Sequence, residues 1–322
     1  MNAPLVSVIC LCYNHGRFLR QALDSVLGQT YPNLEILVVD DLSSDDSVAI
    51  IEEYVQRYPF IQFLRHRQNK GNCYSFNEAF RWSKGDYVID FATDDVLHPE
   101  RVTRQVAAFA ALPPDYGVLY TDADLIDEAS HLLGRFYQRS KDGALSPAPA
   151  QGDVFAQVLS RYFICPPTVM VKRRVLEELN GYDASLAYED FDFWVRSSRN
   201  WKFHFLDQVL CQRRMHPHSL SRQLYKKGDQ QLASTIQVIR KAQQLVQNPA
   251  ERKALQRRIR YEARHAYLTA NYRQAAELLS ILQEEGGVGA SDRVLQQLVR
   301  YRVPLQFVRK WYHRWRYGRS GA

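Results

Sequence analysis

The sequence predicts an α/β fold with a mostly parallel sheet, helices on both faces and a C-terminal helical appendage. Strand-length apolar runs alternate with helix-length amphipathic segments from Val6 to Tyr120. Those runs are continuously apolar, as strands covered on both faces are, and not alternating. Beyond Leu224 the pattern changes to long segments rich in Gln, Arg and Ala.

Taken in order, Val6–Cys12 reads as a strand, Arg17–Leu27 as a helix and Leu34–Val39 as the second strand. Ser47–Arg57 is a helix halted before Pro59, and Ile61–Leu64 a third strand. Asn72–Ser83 is a helix ended near Gly85, and Tyr87–Phe91 the fourth strand. Glu100–Ala111 is a helix opened by His98-Pro99 and stopped by Pro113-Pro114, with Gly117–Tyr120 a fifth strand. Residues 138–152, rich in Gly, Ala, Ser and Pro, read as a loop. A helix near Val154–Leu159, a strand at Thr168–Val171 and a helix at Arg174–Leu179 ended by Gly181 follow. Tyr261–Leu282 carries Ala263, Ala266, Tyr267, Ala270, Ala275 and Leu279 at helical spacing, like one tetratricopeptide-type hairpin, but one copy is no array.

With 322 residues the chain can bury a sizeable core. No run of apolar residues is long enough to span a bilayer, and Met1-Asn2-Ala3-Pro4 lacks the features of a signal peptide. Cys10, Cys12, Cys73, Cys165 and Cys211 form no paired motif, which suits a reducing cytosol. The net charge of +7 is uneven. From Val299 to Ala322, Arg300, Arg302, Arg309, Lys310, Arg314, Arg316 and Arg319 are interleaved with Tyr301, Phe307, Trp311, Tyr312, Trp315 and Tyr317, with no acid among them. Such a stretch suits an anionic bilayer surface. It also fits a helix packing its aromatics on the domain, or a nucleic-acid contact.

The chemistry concentrates where strands end, the edge at which open α/β sheets bind ligands. Thr93-Asp94-Asp95 follows the fourth strand. Paired carboxylates there can hold Mg²⁺ or Mn²⁺ on a pyrophosphate, or cap the next helix. Cys12-Tyr13-Asn14 closes the first strand, where the tyrosine can stack on a nucleobase or pack on a loop. Asp40-Asp41 closes the second, where an acid meets ribose or a base NH, while Ser44 or Asp45 caps the following helix. No Gly-x-Gly-x-x-Gly follows the first strand, which argues against a dinucleotide cofactor. Phe191, Trp194 and Val195 make an apolar helical stripe that puts Asp190 in a first turn, as general base or as helix cap. His216 is a metal or diphosphate contact, or a structural histidine.

These elements together resemble the family 2 inverting glycosyltransferases of GT-A, Rossmann-like fold. The resemblance rests on Val6-Ser7-Val8-Ile9 with Tyr13-Asn14, on Ser25–Glu35, and on Val38-Val39-Asp40-Asp41. Asn69-Lys70-Gly71-Asn72 with Asn77, Lys84-Gly85-Asp86-Tyr87, Thr93-Asp94-Asp95, Gly181-Tyr182-Asp183, Glu189-Asp190 and His216 follow in order.

The resemblance implies a nucleotide-diphospho-sugar donor of UDP or dTDP type and a Mn²⁺ or Mg²⁺ ion. Tyr13 and Asp41 would hold the base with Asp40 nearby, beside Cys12 and Asn14, and Asp94 would meet ribose or sugar. Asp95 would coordinate the cation, with His216 on metal or diphosphate, and Asp190 would deprotonate the acceptor.

Three departures stand out: Ala92 where an earlier Asp is frequent, Cys12 where Ser or Thr is common, and Leu42 where Gly is frequent. Leu42 leads us to expect a turn without positive φ. Residues 1–222 are expected to form the catalytic domain, with a nucleotide half to about 122 and an acceptor half beyond, and residues 223–322 a helical region.

The expected activity is transfer to a glycan or lipid-linked acceptor in bacterial surface polysaccharide synthesis (O-antigen, lipopolysaccharide, capsule or exopolysaccharide). The expected location is the cytoplasm, peripheral on the inner membrane face, with no nucleic-acid partner. Rival readings are a sugar nucleotidyltransferase and a degenerate membrane-surface binding module.

Overall fold

The structure, a computed structural model, describes residues 3–146, 148–217, 228 and 230–305. Most of the basic-aromatic tail, residues 306–322, lies outside the described residues. The chain divides into two compact units, Met1–Val154 with Tyr162–Pro217 and Phe155–Arg161 with His218–Ala322.

In the first unit, β1 (Val6–Cys12), β2 (Leu34–Asp40), β3 (Gln62–Arg65) and β4 (Tyr87–Ala92) pair in parallel, with α1 (Gly16–Leu27), α2 (Ser47–Arg57) and α3 (Asn72–Trp82) as crossovers. Every residue of β1 is buried, which its unbroken apolar run requires. Helix α1 turns Phe18, Leu19, Ala22, Leu23 and Val26 inward at helical spacing. A fully buried leucine such as Leu19 contributes about 2 kcal/mol by leaving water, and Leu19→Ala costs about 2–5 kcal/mol once the cavity is counted.

The chain continues through β5 (Val96–Leu97), α4 (Arg101–Ala110) and β6 (Tyr116–Ile126), which runs on well past the fifth strand's expected end. The segment 138–152, expected as loop, contains a small antiparallel hairpin of β8 (Gln138–Arg139) and β9 (Leu145–Ser146), after β7 (Leu132–Arg135) on the edge of β6. The strand expected from Thr168 begins later. Pro166–Thr168 form a 3-10 turn, because two prolines fix φ and remove two donors, and β10 spans Met170–Lys172. It inserts antiparallel between β4 and β6.

Helices α6 (Arg173–Glu178) and α7 (Asp190–Ser197) precede β11 (Lys202–Arg214), a long strand parallel to β6. The nine-stranded sheet has the order β3-β2-β1-β4-β10-β6-β11-β5, with β7 on β6. Its ladder with β6 shifts register at Leu206/Val209 and Val209/Gln212, irregularities that re-aim the strand before it reaches Arg214.

The second unit contains α5 (Phe155–Ser160), α8 (Gln230–Leu245), α9 (Pro249–Leu268), α10 (Tyr272–Glu284) and α11 (Ala290–Arg300). Asn248 caps α9, accepting from the Glu251 amide at 3.0 Å. Fully buried Ala263, Ala266 and Ala275 let α9 and α10 pack closely. The buried Arg258 guanidinium donates to the carbonyls of Val158 and Leu159 at the end of α5, where a cation completes unsatisfied acceptors.

Candidate active site at the carboxyl edge of the sheet

Register places the functional segments side by side. Cys12 pairs with Asp40 and Leu11 with Ala92, so the loops after β1, β2 and β4 leave the sheet together. The Asp41 amide donates to Cys12 O at 3.0 Å and the Thr93 amide to Leu11 O at 3.1 Å, carrying the pairing one step past the strands. Cys12 is buried, and burial pushes its thiol up. Tyr13 is 50% exposed, a ring face open to solvent at the edge.

The turn after β2 departs from expectation: Leu42 adopts φ +67°. Neighbouring bonds impose it. The Asn14 amide donates to Ser43 Oγ at 2.9 Å, the Ser44 amide to Asn14 Oδ1 at 2.7 Å, and the Ser43 amide to Asp40 Oδ2 at 3.0 Å. Asn14 is itself left-handed at φ 57°, which its residue type tolerates. For exposed Leu42 the conformation costs about 1–2 kcal/mol, which these bonds offset. Asp45 accepts from the Gly16 amide at 2.9 Å and the Ser47 amide at 3.0 Å, so one carboxylate serves the starts of α1 and α2. Burial opposes its ionisation, but these bonds outweigh it and hold the group below its usual range.

The two aspartates after β2 differ. Asp41 is committed to the protein: Oδ1 accepts from His66 Nδ1 at 2.7 Å and the Lys70 amide at 2.8 Å, and Oδ2 from the Gly71 amide at 2.8 Å. Gly71 has φ 84°, so its amide reaches the carboxylate without a side-chain penalty. Asp40 is fully buried, and its Oδ1 has no hydrogen-bond partner among the described residues.

Beyond β4, Arg214 clamps the Thr93–Asp95 turn. Its amide donates to Asp95 Oδ1 at 2.7 Å and its Nε to Asp94 O at 2.8 Å, with Gln21 Oε1 and the 127–130 loop taking its other donors. His216 Nε2 lies 2.9 Å from Asp94 Oδ2. His15 Nδ1 lies 3.0 Å from Thr93 Oγ1, and burial lowers its proton affinity. Burial also opposes ionising Asp94, but the hydrogen bond with His216, then the neighbouring His15, prevail and hold Asp94 below the usual carboxylate range. Asp95 goes the other way: burial, then the charge of Asp94, raise it well above that range.

A cavity of about 100 Å³ opens between β4, α3, the Pro166–Thr168 turn and α7, with room for several ordered waters. Asp95, Asp90, Glu189 and Asp190 all line it. Glu189 occupies the N-cap position of α7 without capping; its Oε2 accepts instead from Asn72 Nδ2 at 2.7 Å. Asp192 pairs with Arg196 at 2.6 Å. Asp190 therefore begins the helix with its carboxyl on the cavity, and burial, then Glu189 and Asp90, push it well above the usual range. A carboxyl raised in this way is a stronger base once ionised.

The sequence-expected residues thus fall into two groups. Tyr13, Asn14, Asp40 and Asp41 surround the β1–β2 edge with Cys12, whereas Asp94, Asp95 and His216 stand by the β4 turn, with Asp95 and Asp190 on one cavity. His216, expected on metal or diphosphate, engages Asp94 in this structure. Among the described residues no three His, Cys, Asp or Glu side chains converge on a metal position. Hard cations of this class are commonly held by one or two carboxylates plus ligand phosphates, and Asp95 with Asp94 offers that oxygen chemistry. The donor set fits Mn²⁺ or Mg²⁺ on that basis. Arg214, His15 and His66 escaped the sequence reading, and Asn72 entered it only within a motif and without a role; an alternating run through Phe203 and Phe205 into Cys211 was the available sign of the strand that delivers Arg214.

Residues 7–179 match the family described as Glycosyl transferase family 2. An uncharacterized glycosyltransferase of Rickettsia prowazekii is 30% identical over 215 residues, 66% of this chain and 65% of that protein. A chondroitin synthase of Escherichia coli is 26% identical over 242 residues, 73% of this chain and 32% of that protein. The chain therefore spans under two thirds of either relative. Among solved structures, S. aureus TarS 1–349 in complex with UDP-GlcNAc superposes with TM-score 0.69 at 18% identity, covering 98% of this chain and 93% of that one. The mannosyltransferase PcManGT from Pyrobaculum calidifontis, in complex with GDP-Man and Mn²⁺, superposes with TM-score 0.57 at 16% identity, covering 94% and 86%. At such identities these likenesses show the fold, which is GT-A.

Proposed function

The chain belongs to glycosyl transferase family 2, and from that premise we propose that it moves a sugar, with inversion, from a UDP- or dTDP-type donor to a hydroxyl of a glycan or lipid-linked acceptor. One observation carries the reading: Asp190, a carboxyl of raised proton affinity, lines the same cavity as Asp95.

Tyr13 stacks on the base, and the unpartnered Oδ1 of Asp40 accepts a donor from base or ribose. Asp95, with Asp94 and His216 beside it, would hold a Mn²⁺ or Mg²⁺ ion, which would supply positive charge to the diphosphate. Ionised Asp190 takes the proton of the acceptor hydroxyl. The freed oxygen forms a bond to the anomeric carbon as the bond to the diphosphate oxygen breaks, its electron pair leaving with the nucleoside diphosphate. The buried walls of Phe193, Trp194 and Pro167 limit competing water around Asp190.

Bound UDP and UDP-GlcNAc in TarS, and Mn²⁺ in PcManGT, support this choice of ligands. The likeness to a chondroitin synthase supports a polysaccharide acceptor. Among the described residues no helix is long and apolar enough to cross a membrane. The stretch 299–322 interleaves Arg with Trp and Tyr and serves, in this reading, as a contact with an anionic membrane face. Deleting it is expected to weaken partitioning onto anionic liposomes; unchanged partitioning removes that part.

The test of the whole is calorimetric titration with UDP, dTDP and GDP, each with Mn²⁺ and with EDTA. Metal-dependent binding of one nucleotide, lost in Asp95→Ala, is expected. Absence of binding under every condition overturns the reading.

A further inference from the structure

We propose that Asp90 acts on the transfer reaction through Asp190, as the third carboxyl of one group with Glu189 and Asp190. This rests on the reading of Asp190 as the base.

Alternation along β4 puts Val88, Asp90 and Ala92 on one face, and all three line the cavity. Asp90 thus stands about 7 Å further along the strand than Ala92 from the Asp94 turn. The start of α7, with Glu189 and Asp190, lines the same cavity, as does Tyr182. A charged residue in the middle of an otherwise apolar strand, Val88-Ile89-Asp90-Phe91, is costly unless its surroundings use it. Asp90 and Asp190 both keep some surface open.

The environment raises all three carboxyls. Glu189 is raised by burial, but the Asn72 amide favours its charged form. Asp90 is raised by burial and by Glu189, with the Tyr182 hydroxyl opposing. Asp190 is raised by burial, by Glu189 and by Asp90, with Arg213 opposing. Asp190 is thus the carboxyl opposed by both of its neighbours. The Cys73 thiol on α3 is held protonated, pushed up by burial and by Glu189, Asp90 and Asp190. A proton arriving at Asp190 from the acceptor relieves the repulsion of its two neighbours, which makes it the stronger base.

The test compares pH profiles of kcat/KM for the wild type, Asp90→Asn, Asp90→Glu and Asp190→Asn, together with carbon-13 titration of aspartate carboxyls. The resonance missing in Asp190→Asn identifies Asp190. In Asp90→Asn the acid limb and the Asp190 midpoint are expected to move down together by about one pH unit. At one unit below the wild-type midpoint, activity relative to plateau then rises about fivefold. Asp90→Glu is expected to keep the wild-type limb.

An unmoved limb and midpoint in folded Asp90→Asn overturns the inference. Activity surviving in Asp190→Asn instead overturns the base reading, while the carboxyl midpoints still report the coupling. Should Asp90→Asn not fold, the wild-type Asp190 curve decides: a step mirroring the Asp90 titration is expected, and a single-site curve overturns the inference.

Discussion

The Asn72 side-chain amide donates to Glu189 Oε2 at 2.7 Å, joining the first residue of α3 to the residue that opens α7, 117 positions away in the chain. This bond keeps Glu189 off the helix end and fixes the turn from which Asp190 projects. Asn72→Ala leaves Glu189 with burial unopposed by a donor and loosens that turn. The expected result is a fall in kcat of about tenfold, equivalent to about 1.4 kcal/mol, with nucleotide affinity unchanged. Calorimetry beside steady-state kinetics checks it; an equal loss in nucleotide affinity would show that Asn72 serves the donor side.

Leu42 sits at φ +67° with its side chain exposed, so its conformation is set by the Asn14–Ser43–Ser44 clasp and not by packing. Glycine adopts that conformation without a Cβ clash, although it adds freedom to the unfolded chain. Leu42→Gly is expected to stabilise by about 1 kcal/mol, raising the melting temperature by about 2–4 °C, with nucleotide binding intact. A lower melting temperature would mean that Leu42 makes a contact worth more than its strain.

The first four strands and their crossovers were legible because buried parallel strands leave continuous apolar runs, as in Val6–Cys12, between helical stripes such as Phe18–Val26. The carboxylates were legible for a related reason: chemistry at strand ends follows from strand boundaries. What pairs at long range was not. Strand β10 takes antiparallel partners on both sides, and nothing in Met170–Lys172 specifies direction. The Arg214 amide reaches Asp95 across 119 positions and the His15 ring reaches Thr93 across 78, so neither residue announces its partner locally. Leu42 shows that a residue type's preference yields when several hydrogen bonds act against it.

Asp40 and Asp41 are adjacent but are expected to fail differently. Asp41→Ala removes the acceptor for His66 Nδ1 and for the Lys70 and Gly71 amides, stranding three donors, and is expected to cost about 3 kcal/mol and on the order of 10 °C in melting temperature. Asp40→Asn keeps an oxygen for the Ser43 amide, so its stability change is expected to stay within about 1 kcal/mol. In the proposed function its unpartnered Oδ1 meets the ligand, so nucleotide affinity is expected to drop at least about tenfold. Thermal melts and calorimetry on the two variants separate these effects. Reversed phenotypes would move the ligand contact to Asp41.

The raised carboxyl of Asp190 ties activity to stability with a definite sign. Its proton affinity in the folded chain lies well above that of an unfolded aspartate, because burial and then the charges of Glu189 and Asp90 oppose ionisation. Between the unfolded value of about 3.9 and the folded one, the native state binds more protons, so stability falls as pH rises through that window. The penalty is absent at lower pH and complete above the folded value. Asp190→Asn removes it. The melting temperature of the variant relative to the wild type is therefore expected to start near zero at about pH 4 and climb by about 2–4 °C for each 1 kcal/mol relieved as pH approaches 8. Transfer, in the same variant, is expected to fall by about 10²–10⁴-fold, with nucleotide binding near normal. A difference in melting temperature that stays flat with pH would mean that Asp190 ionises as freely in the folded chain as in the unfolded one, and a base of ordinary strength would have to carry the reaction.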